Sequence, residues 1–152
     1  MDILITGVNG FIGKNIATNL SKKGNRIIGV GRSKDSDLSK VCEYHSVSVL
    51  DKKGINKLVD NVDLIIHLAA ITAHKEIVDN KFETLDINLN GTKNMLNAFN
   101  LLKKAKKFIF ASTGKVYGED GKYTGTHKLF PSLSKSLFGS KVSPSSLIIN
   151  PF

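Results

Sequence analysis

One cysteine, Cys42, serves all 152 residues, so an internal disulfide and a cysteine-built zinc cluster are both excluded. A reducing cytoplasm is the compartment this usage predicts. The chain has no uninterrupted apolar run long enough to cross a bilayer, and its first residues enter a strand-like segment without the basic stretch of a secretory leader. Neither secretion nor membrane insertion is therefore expected. Acidic residues are in deficit: 13 Asp and Glu face 22 Lys and Arg, a formal charge of +9 that draws anions without choosing among them. Nucleic acid is disfavoured, because the basic residues are scattered and not interleaved with aromatic rings on which bases stack. The local cluster Lys103, Lys104, Lys106 and Lys107 reads as a solvated helix end, where cations complement the dipole. The ordinary share of apolar (41%) and charged (23%) residues suits a single domain with a sizeable core.

The densest information lies in the first thirteen residues, where Ile3, Leu4 and Ile5 run into Thr6-Gly7-Val8-Asn9-Gly10-Phe11-Ile12-Gly13. A strand leading through three glycines into a helix is a dinucleotide-binding turn: Gly7 permits the tight turn, Gly10 the approach of a pyrophosphate, and Gly13 close packing of helix on strand. Asn9, Phe11 and Ile12 share that turn, and the helix's first amides and macrodipole favour the diphosphate. Downstream, the apolar stripe of Phe11, Ile12, Ile16, Ala17 and Leu20 predicts a crossover helix capped by Gly24. Arg26–Val30 and Tyr44–Val49 read as the second and third strands, Lys53–Val59 as a short helix, and Val62–Leu68 as a buried fourth strand. A long amphipathic segment from Phe82 to Ala105 precedes a fifth strand, Phe108–Ala111, and Leu147–Asn150 resembles a sixth. Strands alternating with helices imply parallel crossovers, hence an α/β, doubly wound parallel sheet with helices on both faces. The second strand ends at Gly31-Arg32-Ser33, where an acidic residue would bind the adenosine ribose hydroxyls. Arg32 instead suits a 2′-phosphate or a place over adenine, tilting the choice between NADP and NAD toward NADP.

The glycine spacing, with Thr6 before it and Gly10-Phe11-Ile12-Gly13 within it, resembles the extended short-chain dehydrogenase/reductase family, the NAD-dependent epimerase/dehydratase group. The resemblance implies a Rossmann fold and a nucleotide-sugar substrate. It also implies that the segment His67-Leu68-Ala69-Ala70 passes under the pyrophosphate and nicotinamide ribose, where the small Ala69 and Ala70 leave room. His67 itself reads as a packed strand residue. The family carries an aspartate after the third strand for the adenine amine; matching Asp51 to the pattern's second acid places Ser48 at the first, so the Val49 backbone is the substitute. Asn88-x-x-Gly91-Thr92-x-Asn94 is similar to the family's central helix, making Asn88 a support for the site rather than a chemical group.

Ser112-Thr113-Gly114-Lys115-Val116-Tyr117-Gly118 follows the fifth strand, at the sheet edge where open α/β sheets place their chemistry. It resembles the family's Ser-Ser/Thr-x-x-Val-Tyr-Gly element, which puts Thr113 at the hydroxyl that bonds the reacting sugar oxygen. Gly114-Lys115 stand where dehydratases have Asp-Glu, which disfavours dehydration. The family's Tyr-x-x-x-Lys, in which lysine lowers the tyrosine pKa and holds the nicotinamide ribose, is missing. Its nearest remnant is Phe138-Gly139-Ser140-Lys141; strict spacing from Lys141 puts Leu137 at the tyrosine, and neither side chain donates a proton. Pro131 has Lys135 at the right spacing but is a proline, and Tyr123 is followed by His127.

Ser143-Pro144-Ser145-Ser146 breaks the helix that Lys141 should begin, and the chain ends at Phe152 where family members continue into a substrate domain. The expectation is one NAD(P)-binding domain over residues 1–152 without that substrate domain. A homodimer through helices at Asn80–Leu102 and from Ser136 onward is the family's usual pairing. Two readings of function follow. One is an active nucleotide-sugar epimerase or reductase using Thr113 and Lys141; the other is a dinucleotide-binding module that has lost its chemistry.

Overall fold

The computed structural model describes residues 1–72, 79–102 and 107–111. Five parallel strands, β1 (Asp2–Thr6), β2 (Arg26–Gly31), β3 (Glu43–Ser46), β4 (Leu64–His67) and β5 (Lys107–Phe110), form one sheet in the order β3-β2-β1-β4-β5. The order reverses direction at β1: the chain builds outward through β2 and β3, then returns to lay β4 against the other side of β1. That reversal opens a crevice at the carboxyl edge between β1 and β4.

Both faces of the sheet are covered, so the strands read as continuous apolar runs. Ile3 and Ile5 of β1 point, with Val8, Ile27 and Ile66, toward Ala17 of α1 (Phe11–Lys22). Leu4, Ile28, Val30 and Ile65 point the other way, against Ile55 of α2 (Lys52–Leu58) and against Met95, Leu96 and Phe99 of α4 (Thr92–Leu101). Among the described residues no helix is long and apolar enough to cross a membrane.

Several boundaries differ from the sequence expectation. β3 stops at Ser46 rather than Val49, because the Ser48 hydroxyl accepts the Leu50 N–H and turns the chain toward α2. β4 starts at Leu64, since Asn61 adopts a left-handed φ of 65° and the Val62 N–H closes a turn onto the Val59 carbonyl. The long amphipathic segment is not one regular helix: α3 (Lys81–Leu85) passes through a π-helical stretch, Asp86–Gly91, into α4, which ends at Leu101. Lys107, assigned from sequence to a helix end, opens β5. Lys103, Lys104 and Lys106, and the expected sixth strand, lie outside the described residues.

Two glycines make the entry to α1. Gly7 has φ +70°, and a Cβ there would lie 2.9 Å from the Ala69 nitrogen at the tip of β4. Gly13, one helical turn on, would place a Cβ 2.4 Å from the Gly7 carbonyl oxygen and 2.7 Å from the Val8 Cα. Backbone cannot retreat as a side-chain tip can, so Gly13→Ala is expected to cost about 2 kcal/mol or more. Gly24 also has a positive φ, of 78°, but nothing lies near its Cβ position; Gly24→Ala should cost only about 1 kcal/mol, from conformation alone. Urea unfolding midpoints of the two variants check this, and equal losses would refute the close-packing account of Gly13.

Candidate functional site

The crevice between the β1 and β4 tips is an open cleft of about 290 Å³. Gly7, Asn9 and Gly10 of the β1–α1 turn line one side, Leu68, Ala69 and Ala70 the other, and Arg32 and Val49 reach it from the ends of β2 and β3. Eight of the residues singled out from sequence are thus brought together. Phe11 and Ile12 stand beside the cleft in the first turn of α1, with exposed side chains, and Gly13 is buried beneath it. Thr113 and Lys141 lie outside the described residues. Gly31, Ser33, Ile71 and Ile87 also line the cleft. Ile87 was not legible as a lining residue, because its stripe position reads equally well as core.

The two helices that start near this edge are finished differently. Asp51 caps α2, its carboxylate accepting the Gly54 N–H at 3.0 Å. The cap of α1 is Gly10, which has no side chain to offer, and no acidic residue occupies the first turn. The opening amides of α1 therefore face the cleft with their partial positive charge uncompensated by any cap, which is the arrangement that binds phosphate. Asn9 does not fill this gap, since its Oδ1 accepts the Ser36 hydroxyl at 2.6 Å and so ties the β2–β3 loop to the turn.

Opposite, the residues after β4 are held by a buried chain of hydrogen bonds. The Thr6 hydroxyl oxygen accepts the N–H groups of Leu68 and Ala69, each at 3.2 Å, which leaves its own hydrogen to go to His67 Nδ1 at 2.6 Å. His67 is therefore the Nε2–H tautomer and donates to the Thr92 hydroxyl at 3.0 Å, which donates in turn to the Asn88 carbonyl at 2.7 Å. The Asn88 side chain then clasps Ile71 by both backbone groups, accepting its N–H at 2.8 Å and donating to its carbonyl at 2.9 Å. Asn88 is thus a support, as the sequence suggested, and His67 is a packed residue, stacked on Phe110 with ring centroids 5.7 Å apart.

At the tip of β2, Arg32 Nη1 donates to Glu83 Oε1 of α3 at 2.9 Å. Gly31 beside it carries no side chain, and a Cβ there would lie 2.9 Å from the Tyr44 hydroxyl, itself donating to the Ser33 carbonyl at 2.6 Å. Asp51 is occupied as the α2 cap and Ser48 in the turn before it. Neither lines the cleft.

The sequence profile of the NAD dependent epimerase/dehydratase family matches residues 3–139. The chain belongs to this family. It is 40% identical over 122 residues to a UDP-N-acetyl-alpha-D-glucosaminuronate decarboxylase of Bacillus cytotoxicus, an alignment covering 76% of this chain and 37% of that protein. The crystal structure of a UDP-glucose 4-epimerase with UDP-glucose from Thermotoga maritima superposes with a TM-score of 0.72 at 28% identity, over 83% of this chain and 42% of the other. The UDP-glucose 4-epimerase of Bifidobacterium longum, in complex with NAD+ and UDP, gives a TM-score of 0.72 at 26% identity, over 85% and 42%. The chain therefore spans about two fifths of the length of these family relatives.

The hydrogen-bond chain through His67 makes the family member's stability depend on pH. Burial lowers the His67 pKa to about 4, from an ordinary 6.5. Protonating Nδ1 would also set an N–H against a Thr6 oxygen whose lone pairs are taken. Above pH 6.5 both folded and unfolded chains hold a neutral His67, and no penalty exists. Between about pH 6.5 and 4 the unfolded chain takes up a proton that the folded one refuses, so stability falls as pH falls, by about 3 kcal/mol in all. His67→Gln should be less stable at neutral pH but lose this slope; urea midpoints measured from neutral pH down to about pH 4 that run parallel in the two proteins would refute it.

Proposed function

We propose that this chain is the NAD(H)-binding module of a nucleotide-sugar epimerase-like or decarboxylase-like protein, impaired in the proton exchange such chemistry requires. The observation that carries the binding half is the uncapped start of α1 facing a cleft whose opposite wall is the small Ala69 and Ala70. Gly7, Gly10 and the first amides of α1 would hold the pyrophosphate, Val49 and Arg32 the adenosine end, and Leu68 to Ala70 the nicotinamide ribose side. Bound nicotinamide supplies a hydride acceptor. The family relatives and their UDP-sugar names support this reading of the substrate class.

The impairment is read from the sequence. An alcohol that loses hydride must also lose its proton, and the group that takes it must touch the oxygen and titrate near neutral pH. No tyrosine of this chain has lysine four residues on, and Phe138, nearest to the expected place, has no ionisable atom. Thr113 would still hold the sugar oxygen and Lys141 the ribose, leaving orientation without a proton acceptor. The rival reading, a working epimerase or reductase, needs Thr113 and Lys141 alone to suffice.

Titration of the folded chain with NADH, followed by nucleotide fluorescence, tests the binding half. The wild-type chain should bind and Gly10→Val should not, while keeping its fold: a Cβ at Gly10 meets only the Gly7 carbonyl oxygen, at 3.2 Å, so the added methyls project toward the cleft rather than into the core. A folded wild-type chain that ignores NADH would reject the proposal. For the chemical half, single-turnover reduction of NAD+ by UDP-sugars should be undetectable in the wild-type chain, and ready turnover would favour the rival.

A further inference from the structure

Nearly every polar group around the cleft has a structural reason, and Glu83 stands apart. It belongs to α3, 51 residues from Arg32 in sequence, yet its carboxylate meets the Arg32 guanidinium at 2.9 Å on the rim of the cleft. Both side chains are about half exposed, at 56% and 53%; Arg32 lines the cleft, and Glu83 stands next to it through this ion pair. The other arginine of β2, Arg26, is used at the far end of the strand, with Glu43 at 2.6 Å and Asp2 at 3.7 Å.

In open α/β sheets the acid that meets the adenosine ribose stands at the end of the second strand. Gly31 occupies that end here and offers no carboxylate, with the Tyr44 hydroxyl 2.9 Å from where a Cβ would stand. A carboxylate arrives from α3 instead, and Arg32 fixes it. We propose that Glu83 is the specificity-determining residue for the cofactor, favouring NAD(H) over NADP(H); this rests on the reading of the cleft as a dinucleotide site. A 2′-phosphate brings about two negative charges. To reach Arg32 it must displace Glu83 and remain beside it, whereas a 2′-hydroxyl is neutral and is a donor that a carboxylate accepts. Arg32 taken alone points to the phosphorylated cofactor; the pair reverses that preference by neutralising the cation.

The test is a set of NADH and NADPH titrations on the full chain as wild type, Glu83→Gln, Glu83→Ala and the double variant Glu83→Gln/Arg32→Ala. The wild-type chain should favour NADH. In each single variant the NADPH-to-NADH affinity ratio should rise by about tenfold, from a gain for NADPH and a loss of the 2′-hydroxyl's acceptor for NADH. The double variant should lose the gain, because the phosphate then has no cation to meet, and added salt should shrink it. A ratio of affinities that stays constant across all four proteins while NADH still binds overturns this inference alone. A wild-type preference for NADPH overturns it as well. Failure of all four folded proteins to bind either nucleotide overturns the dinucleotide reading and this inference with it, and since both residues are on the surface, two different replacements of Glu83 separate a local effect from a folding defect.

Discussion

The Thr6 hydroxyl is the contact on which the cleft depends. It is fully buried between β1 and β4, and it accepts from two successive amides beyond β4 while donating to the ring at that strand's end. Sheet hydrogen bonds align β1 with β4 as far as Thr6 opposite His67, but they end there, and the residues that form the two walls come next in each chain segment. Without the hydroxyl, the Ala69 amide would be a partly buried donor short of a partner, at a cost of about 1–3 kcal/mol, and the Leu68 amide would keep only the Thr6 carbonyl at 3.2 Å. With it, residues 68 to 71 are clasped at one end by Thr6 and at the other by Asn88, and Gly7 can approach Ala69 to a distance that no side chain would tolerate. The glycine pattern and the threonine before it are thus one device: the threonine draws the walls together, and the glycines allow them to meet.

The same chain of bonds accounts for the irregular helix opposite. The π-helical stretch Asp86–Gly91 holds both Asn88, turned to Ile71, and Gly91, whose missing Cβ lets Val49 approach. One extra residue in the helical turn shifts the side chains that follow it relative to those before it. Asn88 can therefore face the cleft wall while Asn94, a turn and a half later, donates to the Val49 carbonyl in the loop that follows β3. Three strand ends, those of β1, β3 and β4, are in this way tied to one helix by side-chain bonds, and the cleft is braced by polar groups where apolar packing alone would leave its edge free to slide.

Local features were the legible ones. The β1–α1 turn was readable because its constraints fall within eight consecutive residues: a positive φ at Gly7 and a close contact at Gly13 admit little but glycine. Asn88 was readable as a support through its family motif, and the parallel alternation of elements gave the sheet. The boundaries that moved did so for reasons a periodicity does not carry. Ser48 captures an amide and ends β3 although Val47 and Val49 continue the alternation, and Val62 is buried without belonging to the strand it precedes. Arg32 is the instructive case. Its place at the tip of β2 was correct, but the sign of its environment was not visible, because the neutralising carboxylate lies 51 residues away on another element.

That separation between what holds the cleft and what would work in it bears on how a family member could lose its chemistry and keep its fold. Among the described residues, the cleft is braced by the two glycines, the Thr6 chain, the Asn88 clasp, and the Arg32 and Glu83 pair. The groups proposed to orient sugar and ribose, Thr113 and Lys141, and the Leu137-Phe138 pair proposed to stand near the missing tyrosine's place, all come later in sequence. On the proposed reading, binding and chemistry are therefore separable in this architecture. The bonds that keep the cleft open also tie β1 to β4 and the helix that packs on them, so the cleft is a property of the fold itself: whatever folds this sheet also shapes the site.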